Sequence, residues 1–179
     1  MNEFKVCYKA DLFRYGNSKI NKWNRKFHYY YRKASTCINI FKYYYCYMYH
    51  LTCKKRGIEI SRNVKIGKGL YLCHAYNITI NPEVKLGENI NLHKGVTIGQ
   101  ENRGKRKGTP TIGNNVWIGV NATVVGKINI GNDVLIAPNS YINCDIPSHS
   151  IVMGNPCKII ARDNATESYI ENIVKFQEE

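Results

Sequence analysis

Histidine is the side chain best suited to moving a proton near neutral pH, and the 179-residue chain has five: His28, His50, His74, His93 and His149. Two of them carry a spacing signal. His74 lies two residues after Leu72 and His93 directly after Leu92, and both leucines belong to a series of aliphatic residues six apart. Three steps of that series (72, 80, 86, 92) separate the leucines, which is one coil of a three-sided solenoid. The two imidazoles are therefore expected on one face, one coil apart. An imidazole so placed can take the proton from a hydroxyl nucleophile. His93 sits at a corner that tolerates many residue types, so a structural reading stands beside the functional one. His74 lies in a two-residue break of the series and is harder to explain by packing. Cys73 adds two alternatives, a thiol nucleophile or a third zinc ligand beside the histidines. No second motif supports either, and no metal is expected.

The elements that must position these residues follow from the series itself. It runs Ile60, Ile66, Leu72, resumes after two extra residues as Ile80, Leu86, Leu92, Ile98, and resumes again as Ile112, Ile118, Val124, Ile130, Ile136, Ile142. The position two earlier is aliphatic or small as well, as at Val64, Leu70, Ile78, Val84, Ile90, Val96, Val116, Ala122, Ile128 and Val134. A period of six suits neither a helix nor a hairpin meander. It predicts a parallel β-helix of triangular section over residues 58–156, one short strand and one corner per unit. The two breaks are excursions, one at Cys73-His74-Ala75-Tyr76-Asn77, the other an extruded Gly/Lys/Arg-rich loop over 100–111. Within this span Asp145 to Pro156 reads as irregular. Residues 1–57 lack the period and predict helices around 18–33 and 35–54. In the tail, 157–179, Asn164 and Glu167 form a capping box that predicts a final short helix with Ile170, Ile173 and Val174 on one face.

Charge divides the chain the same way. Residues 1–57 hold 13 basic residues against Glu3 and Asp11, while residues 58–179 hold 13 against 11 acids. The basic third also carries ten of the 14 tyrosines. Two readings stay open: helices whose tyrosines pack on the main domain while lysines face water, or a surface for an anionic membrane or an anionic glycan. No nucleic-acid motif is visible, so nucleic acid is not an expected partner. The longest dense apolar stretch, Tyr43 to Leu51, is too short to span a bilayer, and no secretory signal opens the chain. A cytoplasmic protein is expected. Seven cysteines at irregular spacings then read as reduced thiols.

The run NLHKGVTIG, the loop NRGKRKG and the stretch PTIGNNVWIGVNATVVGKINIGNDVLIAPNSYINCDIPSHSIVMGNP resemble the hexapeptide-repeat acyltransferases. The similarity is to the serine acetyltransferase branch and its relatives that acetylate sugars, and it covers about residues 58–162. The resemblance implies a left-handed coil, a homotrimer with active sites between subunits, acetyl-CoA as donor and direct transfer assisted by a histidine. Leu72-Cys73-His74-Ala75 resembles the family's Leu-Asp-His-Ala segment, which makes His74 the implied base. Glu59 takes the place of the aspartate that pairs with that base. Gly119, Val120, Ala137 and Pro138 are implied beside the pantetheine arm, and Lys158 near a nucleotide phosphate.

Two departures bear on the acceptor. Where serine acetyltransferases carry Arg-His-Pro at the end of the extruded loop, this chain has Gly108-Thr109-Pro110, and Cys73 replaces the aspartate before the base. Cys73 and Thr109 thus become the candidate acceptor contacts, and His93 a replacement for the lost second histidine. Losing an arginine and a carboxylate removes partners for a zwitterion, so a sugar or glycan-precursor hydroxyl is the expected acceptor, with serine the alternative. A non-enzymatic binding solenoid and a zinc hydratase on the same coil are more remote.

Overall fold

The computed structural model describes residues 3–16 and 20–175. Three helices come first, α1 (Glu3–Phe13), α2 (Lys22–Thr36) and α3 (Phe41–Lys54). The latter two correspond to the helices expected around 18–33 and 35–54, except that α2 runs on to Thr36 and α3 starts only at Phe41, and residues 18 and 19 lie outside the described residues; α1 was not foreseen. Asn21 caps α2, its side-chain oxygen accepting from the Asn24 amide at 2.8 Å. Phe27, Tyr31 and Ala34 of α2 and Tyr49 and Cys53 of α3 bury into one core with the first coil of the solenoid. Tyr31 donates to the Val64 carbonyl and Tyr49 to that of Ile60, both at 2.7 Å, so these tyrosines dock the helices on the coil.

The coil begins with β1 (Glu59–Ile60), β2 (Lys65–Ile66) and β3 (Tyr71–Cys73). The second turn is β4 (Thr79–Ile80), β5 (Lys85–Leu86) and β6 (Asn91–His93), and the third β7 (Thr97–Gly99), β8 (Thr111–Ile112) and β9 (Val116–Ile118). A fourth, β10 (Thr123–Val125), β11 (Asn129–Ile130) and β12 (Val134–Ile136), leads to β13 (Tyr141–Ile142) and β14 (Ser150–Met153). Every third strand pairs in parallel, giving faces β1-β4-β7-β10-β13, β2-β5-β8-β11 and β3-β6-β9-β12-β14. Ile60, Ile80, Ile98, Val124 and Ile142 stack in register on the first face, and Leu72, Leu92, Ile118, Ile136 and Val152 on the third. All thirteen six-spaced aliphatics and their ten partners two positions earlier are buried. Burying each such side chain contributes about 1.5–3 kcal/mol, which is why a coil of two- and three-residue strands holds together. This is the parallel β-helix that the period predicts.

Two expectations about the C-terminal part need correction. The segment 145–156 is not wholly irregular, since β14 runs parallel to β12 and pairs antiparallel with β15 (Lys158–Ala161). No final helix forms among the described residues: 163–170 is a run of turns, with Asn164, Ser168 and Asn172 at φ of 54°, 64° and 50°. Left-handed backbone at four-residue intervals breaks a helix, and the segment's polar groups are committed elsewhere. Asp133 accepts from the amides of Ala165 and Thr166, while Asn89 exchanges two hydrogen bonds with the backbone of Val174. The loop after β7 also folds back rather than standing free. Glu101 and Gly108 exchange backbone hydrogen bonds at 3.0 Å, and the Arg106 side chain donates to the Asn143 carbonyl.

Candidate active site

Cys73 at the end of β3 pairs with His93 at the end of β6, as the one-coil spacing requires. Beyond this pair the coils fall out of step. The next backbone bond joins the Gly95 amide to the Tyr76 carbonyl at 2.9 Å, leaving His74 and Ala75 with no counterpart on the coil above. The two-residue break is thus a bulge at the edge between the third and first faces. Ala75 is buried in it, and His74 is turned outward at a φ of 49°. A non-glycine residue in that region is uncommon and is held by its surroundings.

His93 is fixed in a different manner. Its Nδ1 lies 2.9 Å from the Ile118 carbonyl, which can only accept, so Nδ1 carries the proton and Nε2 keeps its lone pair. The ring packs on Trp117 at 4.4 Å between centroids, and Trp117 on Tyr169. Burial pushes the His93 pKa below the ordinary histidine value, the positive charge of nearby His74 adds to this, and the Ile118 bond opposes it. A neutral imidazole with one nitrogen pinned is a competent proton acceptor.

A groove of about 540 Å³ opens beside His74, lined by Asn24, Arg56, Cys73, Tyr76 and Lys94. Arg56 was not marked by any sequence pattern. Its guanidinium lies 4.4 Å from the Trp23 ring and 4.7 Å from that of Tyr76, and it donates to the Ala75 carbonyl at 3.5 Å. Stacking between two rings holds a cation at the mouth of the groove. Burial pushes the Cys73 thiol up, so it is neutral there and unsuited to attack as a thiolate. Among the described residues no three His, Cys, Asp or Glu side chains converge to hold a metal.

The chain matches the family model for bacterial transferase hexapeptide (six repeats) over residues 109–144. It is 37% identical over 107 residues to a Helicobacter pylori serine acetyltransferase, covering 60% of this chain and 63% of that protein. It is 38% identical over 107 residues to one from Staphylococcus aureus, covering 60% of this chain and 50% of that protein. A solved Neisseria gonorrhoeae serine acetyltransferase in complex with serine superposes with a TM-score of 0.69 at 27% identity, over 88% of this chain and 69% of that one. The chain is similar to the hexapeptide-repeat acyltransferases, and among them to the serine acetyltransferases. It spans half to just under two thirds of the length of these curated relatives.

Measured against that family, some expected site residues come together in one chain and others do not. Cys73, His74 and His93 do. Glu59 lies on the first face, its Oε2 accepting from the Thr79 hydroxyl at 3.4 Å, and it lines a separate groove with Tyr49 and Arg62. No ion pair joins it to His74 among the described residues, although the chain just before β1 touches the bulge, the Asn77 amide donating to the Arg56 carbonyl at 2.9 Å. Thr109 precedes β8, on the edge between the first and second faces, and so is remote from His74 along the prism's perimeter. Gly119, Val120, Ala137 and Pro138 form a column at the His74 edge, with the Asn139 amide bonded to the Val120 carbonyl at 2.9 Å. Lys158 is exposed at the start of β15, opposite Met153.

Sequence reasoning also missed what lies against the corner that leads into β3. Asp11 is fully buried, paired with Arg32 at 2.8 and 2.9 Å, and accepts from the amides of Gly69 and Leu70. His28 Nδ1 stands 3.3 Å from Asp11 and His28 Nε2 is 3.0 Å from the Tyr15 hydroxyl, which accepts from the Leu72 amide at 3.1 Å. A signal existed: Asp11 is the one acid between Glu3 and Glu59 in an otherwise basic segment.

Proposed function

We propose that the chain transfers the acetyl group of acetyl-CoA to the hydroxyl of serine or a close hydroxy-acid analogue. The observation that carries this reading is the pair of cations, Arg56 and Lys94, lining the groove into which His74 projects. The loop arginine missing from Gly108-Thr109-Pro110 argued for an uncharged sugar, but Arg56 supplies a replacement guanidinium that can meet an acceptor carboxylate. The serine complex of the Neisseria relative supports the same acceptor class.

In this reading His74 removes the hydroxyl proton and the alkoxide attacks the thioester carbonyl. The C–S bond breaks, and the departing thiolate takes the proton from the imidazolium. His93, neutral and with Nε2 unprotonated, holds the acceptor's polar groups beside the base. Acetyl-CoA supplies an activated acyl group. The small residues Gly119, Val120, Ala137 and Pro138 leave room along the edge for a slender arm, and the exposed Lys158 suits a phosphate. Glu59, on the strand next to the bulge, would orient the His74 imidazole, whereas Thr109 joins the site only if a neighbouring subunit of a homotrimer brings it there.

CoA release is the test, with serine, a neutral sugar and a sugar acid as acceptors. Wild type turns over serine, His74→Ala loses on the order of 10²–10⁴ in kcat, and Arg56→Met raises the KM for serine by roughly 10- to 100-fold. Faster turnover of the neutral sugar, indifferent to Arg56→Met, overturns the serine reading and reinstates a sugar hydroxyl.

A further inference from the structure

A helix with large aromatic and aliphatic side chains on its outer as well as its inner side calls for something to cover the outer one. The inner side of α3 places Tyr49, Thr52 and Cys53 against α2 and the first coil, all buried. Its outer side has Tyr43, Tyr44, Tyr47 and Leu51, which share one face at helical spacing and are exposed at 79%, 53%, 61% and 36%. The turn joining α2 to α3 extends this face, with Ile38 at 96%, Ile40 at 79% and Phe41 at 61% exposure. Seven large apolar side chains thus form one strip along a helical hairpin and over its tip, more than a monomer's surface ordinarily leaves to water.

Charge around the strip selects what covers it. No acidic residue occurs between Asp11 and Glu59, whereas Lys22, Arg25, Lys26, Lys54 and Lys55 are exposed at the other end of the hairpin. Trp23 of α2 donates to the Thr52 carbonyl of α3 at 2.9 Å, which brings these two basic ends side by side. A second copy docking here would bring one acid-free basic hairpin onto another, and like charges at an interface oppose it. Nucleic acid would want cations at the centre of the face, where tyrosines stand instead. Tyrosine on an apolar strip flanked by lysine and arginine is the composition of a helix lying in the headgroup layer.

We propose that the α2–α3 hairpin is a membrane-surface anchor, its aromatic strip and Ile38-Asn39-Ile40 tip lying among the headgroups of an anionic bilayer. No helix of the described chain is long and apolar enough to cross a membrane, so the contact is peripheral. In such an arrangement the first coil and the His74 groove, lined by the Arg56 that stacks on Trp23 of α2, sit close to the bilayer surface.

The full-length protein should cosediment with phosphatidylcholine vesicles containing phosphatidylglycerol, weakly with phosphatidylcholine alone, and progressively less as salt is raised. The pair Tyr43→Ser and Tyr47→Ser should lower partitioning tenfold or more, on the order of the burial of two aromatic rings, with far-UV CD and CoA release in detergent-free buffer unchanged. Lys54→Glu with Lys55→Glu should lower it by at least roughly fivefold per charge. Absence of cosedimentation with anionic vesicles, or cosedimentation indifferent to both pairs, overturns the proposal. So does a Tyr43→Ser, Tyr47→Ser protein whose only change is a smaller assembly in gel filtration, since a second copy then covers the strip. The readouts are physical, so failure of the serine reading leaves this proposal standing and the reverse also holds.

Discussion

At the scale of single residues, two histidines one coil apart have been given unlike environments by the same bulge. His74 is presented outward by a left-handed backbone turn, whereas His93 is half-buried, pinned at Nδ1 and stacked on Trp117. Their coupling is measurable. Burial and the charge of His74 together put the His93 pKa below its ordinary value near 6.5, so its acceptor form survives to lower pH than a free imidazole's. An NMR titration of the imidazole Cε1 protons should therefore find His93 below that value in wild type. In His74→Gln, which removes the neighbouring charge, it should rise. An unchanged His93 titration in the variant would show that the two rings do not sense each other, and the division of labour between base and acceptor contact would have to be redrawn.

At the scale of elements, the solenoid was legible because its rule is one-dimensional: an inward aliphatic every sixth residue places each strand without reference to anything distant, and the interruptions announced the bulge at His74 and the loop after β7. The final helix was misread because a local capping pattern competes with long-range partners, here Asp133 and Asn89, that no nearby residue reveals. Arg56 escaped for the same reason, since its role comes from Trp23, Tyr76 and the groove rather than from its neighbours in sequence. The corners are the elements' weak points and can be tested separately. Gly95 has a φ of 74°, and a methyl group there would be driven into Asn121 Oδ1 on the next coil; Gly104 has a φ of 66° with open space around it. Gly104→Ala should cost only the left-handed backbone penalty, about 1–2 kcal/mol. Gly95→Ala should cost more, by about 1–3 kcal/mol of overpacking, and displace the corner that aligns His93 with His74. Urea midpoints compare the two directly, and equal losses would mean the corner gives way without strain.

At the scale of the whole molecule, the helical segment and the solenoid are joined by buried polar contacts that converge where β3 and β6 begin. Arg14 donates to the Gly69 carbonyl at 3.1 Å and also reaches Asn91 and the Glu171 carbonyl, tying α1's exit, the coil and the C-terminal turns into one unit. Asp11 carries the larger share, since it is bonded to Arg32 and to two coil amides and faces His28. Burial raises the Asp11 pKa, but Arg32 and His28 outweigh burial and hold it below the ordinary 3.8. The sign follows from that depression: the stabilisation is complete above the unfolded-state value and is lost as pH falls through the lower folded-state value. Asp11→Ala leaves Arg32 buried without its partner and should cost about 3–5 kcal/mol at neutral pH. Because Tyr15 links His28 to the Leu72 amide two residues before His74, the same variant should also loosen the bulge and lower kcat. Hydrogen exchange separates the two parts. Amides of α1 and β3 should lose protection while those of β10 to β13 keep it, since the later coils stack on one another without the helices. Uniform loss of protection would mean instead that the chain unfolds as one cooperative unit whose stability depends on Asp11, and unchanged protection at β3 would detach the helical segment from the chemistry of the site.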